Sequence, residues 1–187
     1  MSAGTRVFLT FDDGPDPTYT PQVLDVLRAH GVRATFCMVG RYALAAPGLV
    51  QRIRDEGHAL CNHTASHTAL DTRSTARVEA EVSGGSDAIA SAAGVRPGLI
   101  RFPYGRRSVI ADEVINRFGL RVLPWTVDPS DYTQPGTATI VSRVNQSARP
   151  GGIVLLHDGG GNRSQTVAAL PAIIESLRGA GYEFGTP

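Results

Sequence analysis

Short apolar segments alternate with amphipathic ones along nearly the whole chain, and this rhythm constrains the fold more than any other feature. "RVFLTF" is followed by "TPQVLDVLRAHG", "RATFCMVG" by "APGLVQRIRDEG", and "HALCNHT" by "STARVEAEVSGGSDAIASAAG". "GLIRFPYG" leads to "VIADEVINRFG", "LRVLPWTVD" to "TATIVSRVNQSA", and "GGIVLLHD" to "SQTVAALPAIIESLRGAG", before a last short "YEF". About seven strands alternating with helices predict parallel strands joined by crossover helices. A closed barrel and an open doubly wound sheet both satisfy the pattern. Neither GxGxxG nor a phosphate loop is present, which argues against the nucleotide-binding version. The first helix has clear ends: Thr20 is the expected N-cap, Pro21 takes the first helical position, and Gly31 follows the last turn. Gly84–Gly85 is expected to weaken the third helix, and Pro171 to kink the last.

A chain of 187 residues suits one domain over residues 1–187. Its net charge of +1, with no basic run, argues against nucleic acid as a partner. No run approaches the roughly 18 apolar residues of a membrane span. The start "MSAGTRVFLTF" lacks the pattern of an export signal. A cytoplasmic location follows if that is the natural start, and a secreted or cell-wall location if an export segment has been trimmed. A monomer is expected. Cys37 and Cys61 both lie in apolar runs, so buried free thiols are preferred to a disulfide bridge.

In parallel α/β folds the working groups gather at the carboxyl ends of the strands. Here the expected strands end in Asp12–Asp13, His63 with His67, Arg101 with Tyr104, Asp128 with Asp131, and His157–Asp158. Two adjacent carboxylates at the end of an apolar strand repel one another unless compensated. His63 and His67 are four apart; if their segment forms a helical turn, both rings face one side and can grip an ion. Two histidines and a carboxylate form a common zinc ligand set with open positions. A cation there would neutralise one acid of the pair. Arg101 could hold Asp12 ionised. His157, if it lies at the same mouth, is a candidate general acid. His30 and His58 fall on the opposite side and read as structural or solvated.

Taken together, "TFDDG", "HTASH", "RFPYG", "DPSDY" and "LLHD" resemble, in order, the five motifs of the polysaccharide deacetylase family, the NodB-homology or carbohydrate esterase family 4 domain. The resemblance covers about residues 6–185. It implies a distorted (β/α) barrel of about seven parallel strands with outer helices, and metal-dependent removal of acetyl groups from glycans. Carried over by position, it implies Asp13, His63 and His67 as ligands of one divalent metal, usually Zn2+. Asp12 would be the catalytic base, oriented by Arg101. Tyr104 would offer its backbone N–H to the oxyanion. His157 would be the acid, paired with Asp131. Leu155 would line the acetyl pocket, with Pro103, Tyr132 and Trp125 as further substrate contacts. The fourth motif departs from the family pattern, placing Tyr132 where Trp is usual, which bears on substrate fit rather than on chemistry. Trp125 could equally be a core residue, and "GGGNRS" reads as a mouth loop or a long turn. The expected substrate is an acetylated glycan, chitin oligosaccharide or peptidoglycan. O-acetylated xylan is the alternative, and a silent glycan-binding domain is disfavoured because the base and acid positions are filled.

Overall fold

The computed structural model describes residues 5–187. Its strands are β1 (Arg6–Asp12), β2 (Thr35–Met38), β3 (Ala59–Asn62), β4 (Leu99–Ile100), β5 (Arg121–Val122), β6 (Ile153–His157) and β7 (Glu183–Phe184). All pairings are parallel, in the order β5-β4-β3-β2-β1-β6, with β7 beside the start of β1. A single parallel bridge between Val127 and Val154 brings the segment after β5 onto β6. The sheet therefore curls into a distorted half-barrel with helices around it, and the open doubly wound alternative is not adopted.

The strand expected at "LRVLPWTVD" is divided in two. Pro124 has no N–H for a ladder, so pairing stops after Val122 and resumes only at Val127. The break leaves the Leu123 and Pro124 carbonyls free of the sheet, and both accept hydrogen bonds from Arg101, at 3.2 and 3.1 Å.

The helices are α1 (Thr20–Ala29), α2 (Gly40–Ala45), α3 (Pro47–Asp55), α4 (Thr75–Ala93), α5 (Val109–Arg117), α6 (Thr137–Ser147) and α7 (Ser164–Gly179). Val23, Leu24 and Leu27 of α1 are fully buried, each contributing about 1.5–3 kcal/mol by leaving water. Phe11 and Phe36 stack in the main core with ring centroids 5.3 Å apart. Three expectations are corrected. The short helix α2 replaces the end of the second predicted strand. Thr20 is not the cap of α1 but its first residue: its hydroxyl donates to the buried Asp158 carboxylate at 2.6 Å, while the Asp16 carboxylate takes the Thr18 and Tyr19 N–H groups. Gly84–Gly85 does not interrupt α4. A side chain at Gly85 would strike Asn62, so the glycine is what lets this helix approach β3 and α2. Pro171 lies inside α7, as expected. Cys37 and Cys61 face each other across β2 and β3 as buried free thiols.

Candidate active site

Parallel strands deliver their last residues to one rim, and β1, β3, β4 and β6 do so here with Asp12, His63, Arg101 and His157. The rim encloses a cavity of about 750 Å3. Asp12, Asp13, His63, His67, Phe102, Tyr104, Trp125, Tyr132, Leu155 and His157 line it, joined by Asp128, Arg41, Tyr42, Gly160 and Arg163.

The two adjacent acids have different surroundings. Asp12 Oδ1 accepts from Arg101 Nη1 at 2.7 Å. That guanidinium is wholly buried and spends its other donors on Thr10 Oγ1 and the Leu123 and Pro124 carbonyls. Burial alone would weaken its charge, but Asp12 outweighs this and holds Arg101 above its usual range. One carboxylate oxygen of Asp12 is thus tied, and Oδ2 is left toward the cavity.

Asp13 turns the other way, with φ at 73°. Its Oδ1 lies 3.4 Å from His63 Nε2 and 3.0 Å from His67 Nε2, and is buried without a well-formed hydrogen bond. Burial pushes the Asp13 carboxyl up, but the two imidazoles prevail and hold it well below the usual carboxylate range. His63 Nδ1 is 2.9 Å from the Arg101 carbonyl. A carbonyl can only accept, so Nδ1 carries the proton and Nε2 keeps its lone pair. One ligand atom from each of Asp13, His63 and His67 falls within 4.8 Å of the others. An orphaned anionic oxygen facing imidazole nitrogens, one of them fixed as a lone-pair donor, fits a divalent cation. The residues brought together are the ones the spacing suggested, but the means differ. Residues 62–67 form no helix; the loop turns back through left-handed backbone at Thr64 and His67. Gly160 closes the same site from β6: a side chain there would meet Asp13 Oδ2 at 2.6 Å, and its φ is 73°.

His157 Nδ1 donates to Asp131 Oδ1 at 2.7 Å, and its backbone N–H donates to Asp131 Oδ2 at 2.9 Å. Thr166 Oγ1 adds a third bond to that carboxylate. Burial pushes the His157 ring down, yet Asp131, helped by Asp12 and Asp13, raises it above its ordinary value. Nε2 is the ring position left for donation. The Tyr132 ring meets the His157 ring edge-on at 5.4 Å, and Tyr104 packs likewise on His67 at 4.8 Å. The Tyr104 N–H makes no hydrogen bond among the described residues, and its φ of 60° re-aims the backbone at this corner. Such left-handed non-glycine residues cost of order 1–3 kcal/mol each, and they gather where a site dictates the geometry.

Arg101 and Asp131 stand behind the cavity wall, each buried against the group it orients. Pro103 is not where the motif placed it: it is buried outside the lining, and Phe102 faces the cavity instead. Trp125 reaches the cavity rather than the core. Two of the following features lie outside the sequence reading; the third, Asp158, is expected at the rim beside His157. Arg41 and Arg163 line the cavity, Arg163 being buried with its Nε donated to the Gly159 carbonyl. Asp158 lies beneath Gly14, fully enclosed, with its carboxyl pushed up to about 7, first by burial and then by Asp13 and Asp12, against the hydrogen bond from Thr20. Glu81 and Asn62 brace the 62–67 loop. No spacing rule marks these residues, because each works through a contact between distant elements.

Three comparisons bear on this geometry. A model of the family described as Polysaccharide deacetylase matches residues 2–123. The chain is 44% identical to a chitooligosaccharide deacetylase from Bradyrhizobium sp. (strain ANU 289), over 97% of this chain and 89% of the relative. It is 41% identical to a peptidoglycan-N-acetylglucosamine deacetylase from Bacillus cereus, over 96% of this chain and 85% of the relative. Among solved structures, a family 4 carbohydrate esterase from Streptomyces lividans in complex with acetate superposes with a TM-score of 0.91 at 36% identity, covering 97% of this chain and 92% of that one.

Proposed function

The chain belongs to the polysaccharide deacetylase family and is a carbohydrate deacetylase, and we propose that it hydrolyses the N-acetyl group of N-acetylglucosamine units in chitin oligosaccharides or peptidoglycan, using one Zn2+ ion. The reading rests on one observation: Asp12 and His157, held by separate partners at the ends of adjacent strands, line a single cavity with a three-ligand cation cage beside them. The deacetylases of chitooligosaccharide and peptidoglycan among its relatives support the substrate class.

Amide hydrolysis needs an activated water, a stabilised oxyanion and a proton for the leaving nitrogen. Asp13, His63 and His67 would hold the cation, which when bound would supply Lewis acidity to the attacking water and to the acetyl carbonyl. Asp12 Oδ2 takes the proton from the attacking water; Arg101, bonded to Oδ1, fixes the carboxylate's direction. The Tyr104 N–H points its dipole at the oxyanion. His157 Nε2–H protonates the departing amine, and Asp131 keeps the ring charged until then. Leu155 offers an apolar wall to the acetyl methyl, while Tyr132 and Trp125 present ring faces to sugar. Base and acid are thus set apart by separate neighbours.

The test is acetate release from chitin oligomers, peptidoglycan and acetylated xylan, with and without chelator. N-acetylglucosamine substrates turned over in a chelator-sensitive way are the expected result. Asp12→Asn should lower kcat by about 10²–10⁴-fold with metal content unchanged; loss of metal in that variant would mean the roles of the two acids are reversed. An O-acetyl esterase is the second reading, favoured by the likeness to the Streptomyces lividans esterase. Faster turnover of acetylated xylan would establish it instead.

A further inference from the structure

We propose that Glu81, on α4, is a positioning residue for the metal centre: its buried carboxylate clamps the loop at Ser66 and so places the His67 imidazole against Asp13 and His63. The inference rests on the metal-centre reading above and assigns a role to a residue that neither lines the cavity nor touches the ligand atoms.

Glu81 is 2% exposed. A buried carboxylate is costly unless its oxygens are satisfied, and here nearly every bond runs to one loop. Oε2 accepts the Ser66 N–H at 2.9 Å, and Oε1 accepts the Ser66 hydroxyl at 2.7 Å. The Glu81 main-chain carbonyl accepts the Ala65 N–H at 2.9 Å. Among the described residues the carboxylate's one cationic partner is Arg77 Nη2, at 2.6 Å on Oε1, from a half-exposed side chain one turn earlier on α4.

The loop needs such a clamp. His63 and His67 do not share a helix face, so no intrinsic periodicity brings them together. The backbone instead passes through left-handed conformations at Thr64 (φ 67°) and His67 (φ 61°), which persist only where surrounding bonds over-determine them. His63 has its own anchor, the Nδ1 bond to the Arg101 carbonyl. His67 has no such hydrogen bond on Nδ1 among the described residues; beyond the Tyr104 ring packed against it, its placement depends on the backbone it hangs from. Asn62 Oδ1 secures the near side of the turn through the Thr64 N–H at 2.7 Å. Glu81 secures the far side, at the residue immediately before His67. Ring centroids of the two histidines are then 4.9 Å apart, with both Nε2 atoms turned to Asp13.

Glu81→Gln separates placement from bulk structure. The amide keeps the volume but has one acceptor oxygen, so its NH2 must face either the Ser66 N–H on one side or the Ser66 hydroxyl and Arg77 Nη2 on the other, and the negative charge is gone. Zn2+ affinity, measured by competition with a chromophoric chelator, should weaken about 10–100-fold, the range for residues that orient metal ligands. The visible absorption of the Co2+-loaded protein should change shape, because ligand geometry changes, while far-UV circular dichroism stays that of the wild type. A folded E81Q protein with wild-type affinity and an unaltered Co2+ spectrum overturns the proposal. Should E81Q not fold, Ser66→Ala decides: it removes one of the two loop bonds without emptying the core, and should weaken Zn2+ about threefold or more. Unchanged affinity in S66A is the overturning result. A wild-type protein that takes up neither ion overturns the metal-centre reading and the clamp with it, whereas wild-type uptake with an unaltered E81Q overturns the clamp alone.

Discussion

Two histidines bracket the same strand and do opposite things. His58 precedes β3 at the closed end of the half-barrel, and His63 follows it at the open rim. Both are buried, at 7% and 2% exposure. At His58, Nδ1 accepts the Ala34 N–H at 3.1 Å. The neutral ring therefore carries its proton on Nε2, and that nitrogen offers no lone pair. At His63, Nδ1 donates to the Arg101 carbonyl, so Nε2 is the lone-pair side and faces Asp13. Burial also pushes His58 down toward the neutral form, and Glu56, 3.9 Å from Nε2, opposes this without reversing it. The lesson is that an imidazole's chemistry is set by what its other nitrogen meets: an amide makes a structural residue, a carbonyl makes a ligand.

The largest effect that could break this contrast is expected at the rim. His63→Ala should abolish metal uptake at micromolar Zn2+ and lower kcat/KM by about 10³-fold or more, since several kcal/mol of carbonyl polarisation go with the ion. Retained metal in that variant would remove the distinction between the two rings. Next is the acid's partner. With Asp131→Asn, burial of His157 is no longer opposed by its main counter-charge, so its pKa falls. Since the protonated ring is the active form and activity is lost as pH rises through its pKa, the alkaline limb of the kcat profile should move to lower pH, with kcat down about 10²-fold. A limb that stays in place would assign it to another group.

A smaller effect concerns stability. Asp158 has its carboxyl raised to about 7 in the folded protein, against 3.8 for the free group. A raised acid favours folding while both states are protonated, and that contribution is lost as pH rises toward 7. The metal-free wild type should therefore lose about 2–4 kcal/mol between pH 4 and pH 7.5 relative to Asp158→Asn, read from urea unfolding at each pH. Equal pH dependence in both proteins would mean that Asp158 is ionised at neutral pH. Smallest of all in its functional consequence, His58→Ala should cost about 1–3 kcal/mol of stability through the orphaned Ala34 N–H, with Zn2+ affinity and kcat unchanged. A change in either would show that the two ends of β3 are coupled.

The alternation of apolar and amphipathic segments carried the strand order's raw material, and the polar residues closing those strands carried most of the site. Asp12, Asp13, His63, His67, Arg101 and His157 were readable because a parallel sheet sends every strand's last residue to one rim, wherever the strands lie in the chain. Pro103 was misplaced because which face of a turn meets a cavity depends on backbone torsions, here the left-handed Tyr104 beside it. Thr20 looked like a cap because capping is local, yet its hydroxyl answered to Asp158, a residue 138 positions away.

Local chemistry along the chain thus decided which side chains could do the work: residue type, period and turn signals are properties of neighbours in sequence. Packing alone decided which nitrogen of each histidine carries a proton, which of two adjacent carboxylates meets the guanidinium, and that a helix beginning at Thr75 braces the loop before His67. Those outcomes depend on contacts between elements far apart along the backbone, and on the low polarisability of a buried rim, where one hydrogen bond is enough to settle a charge.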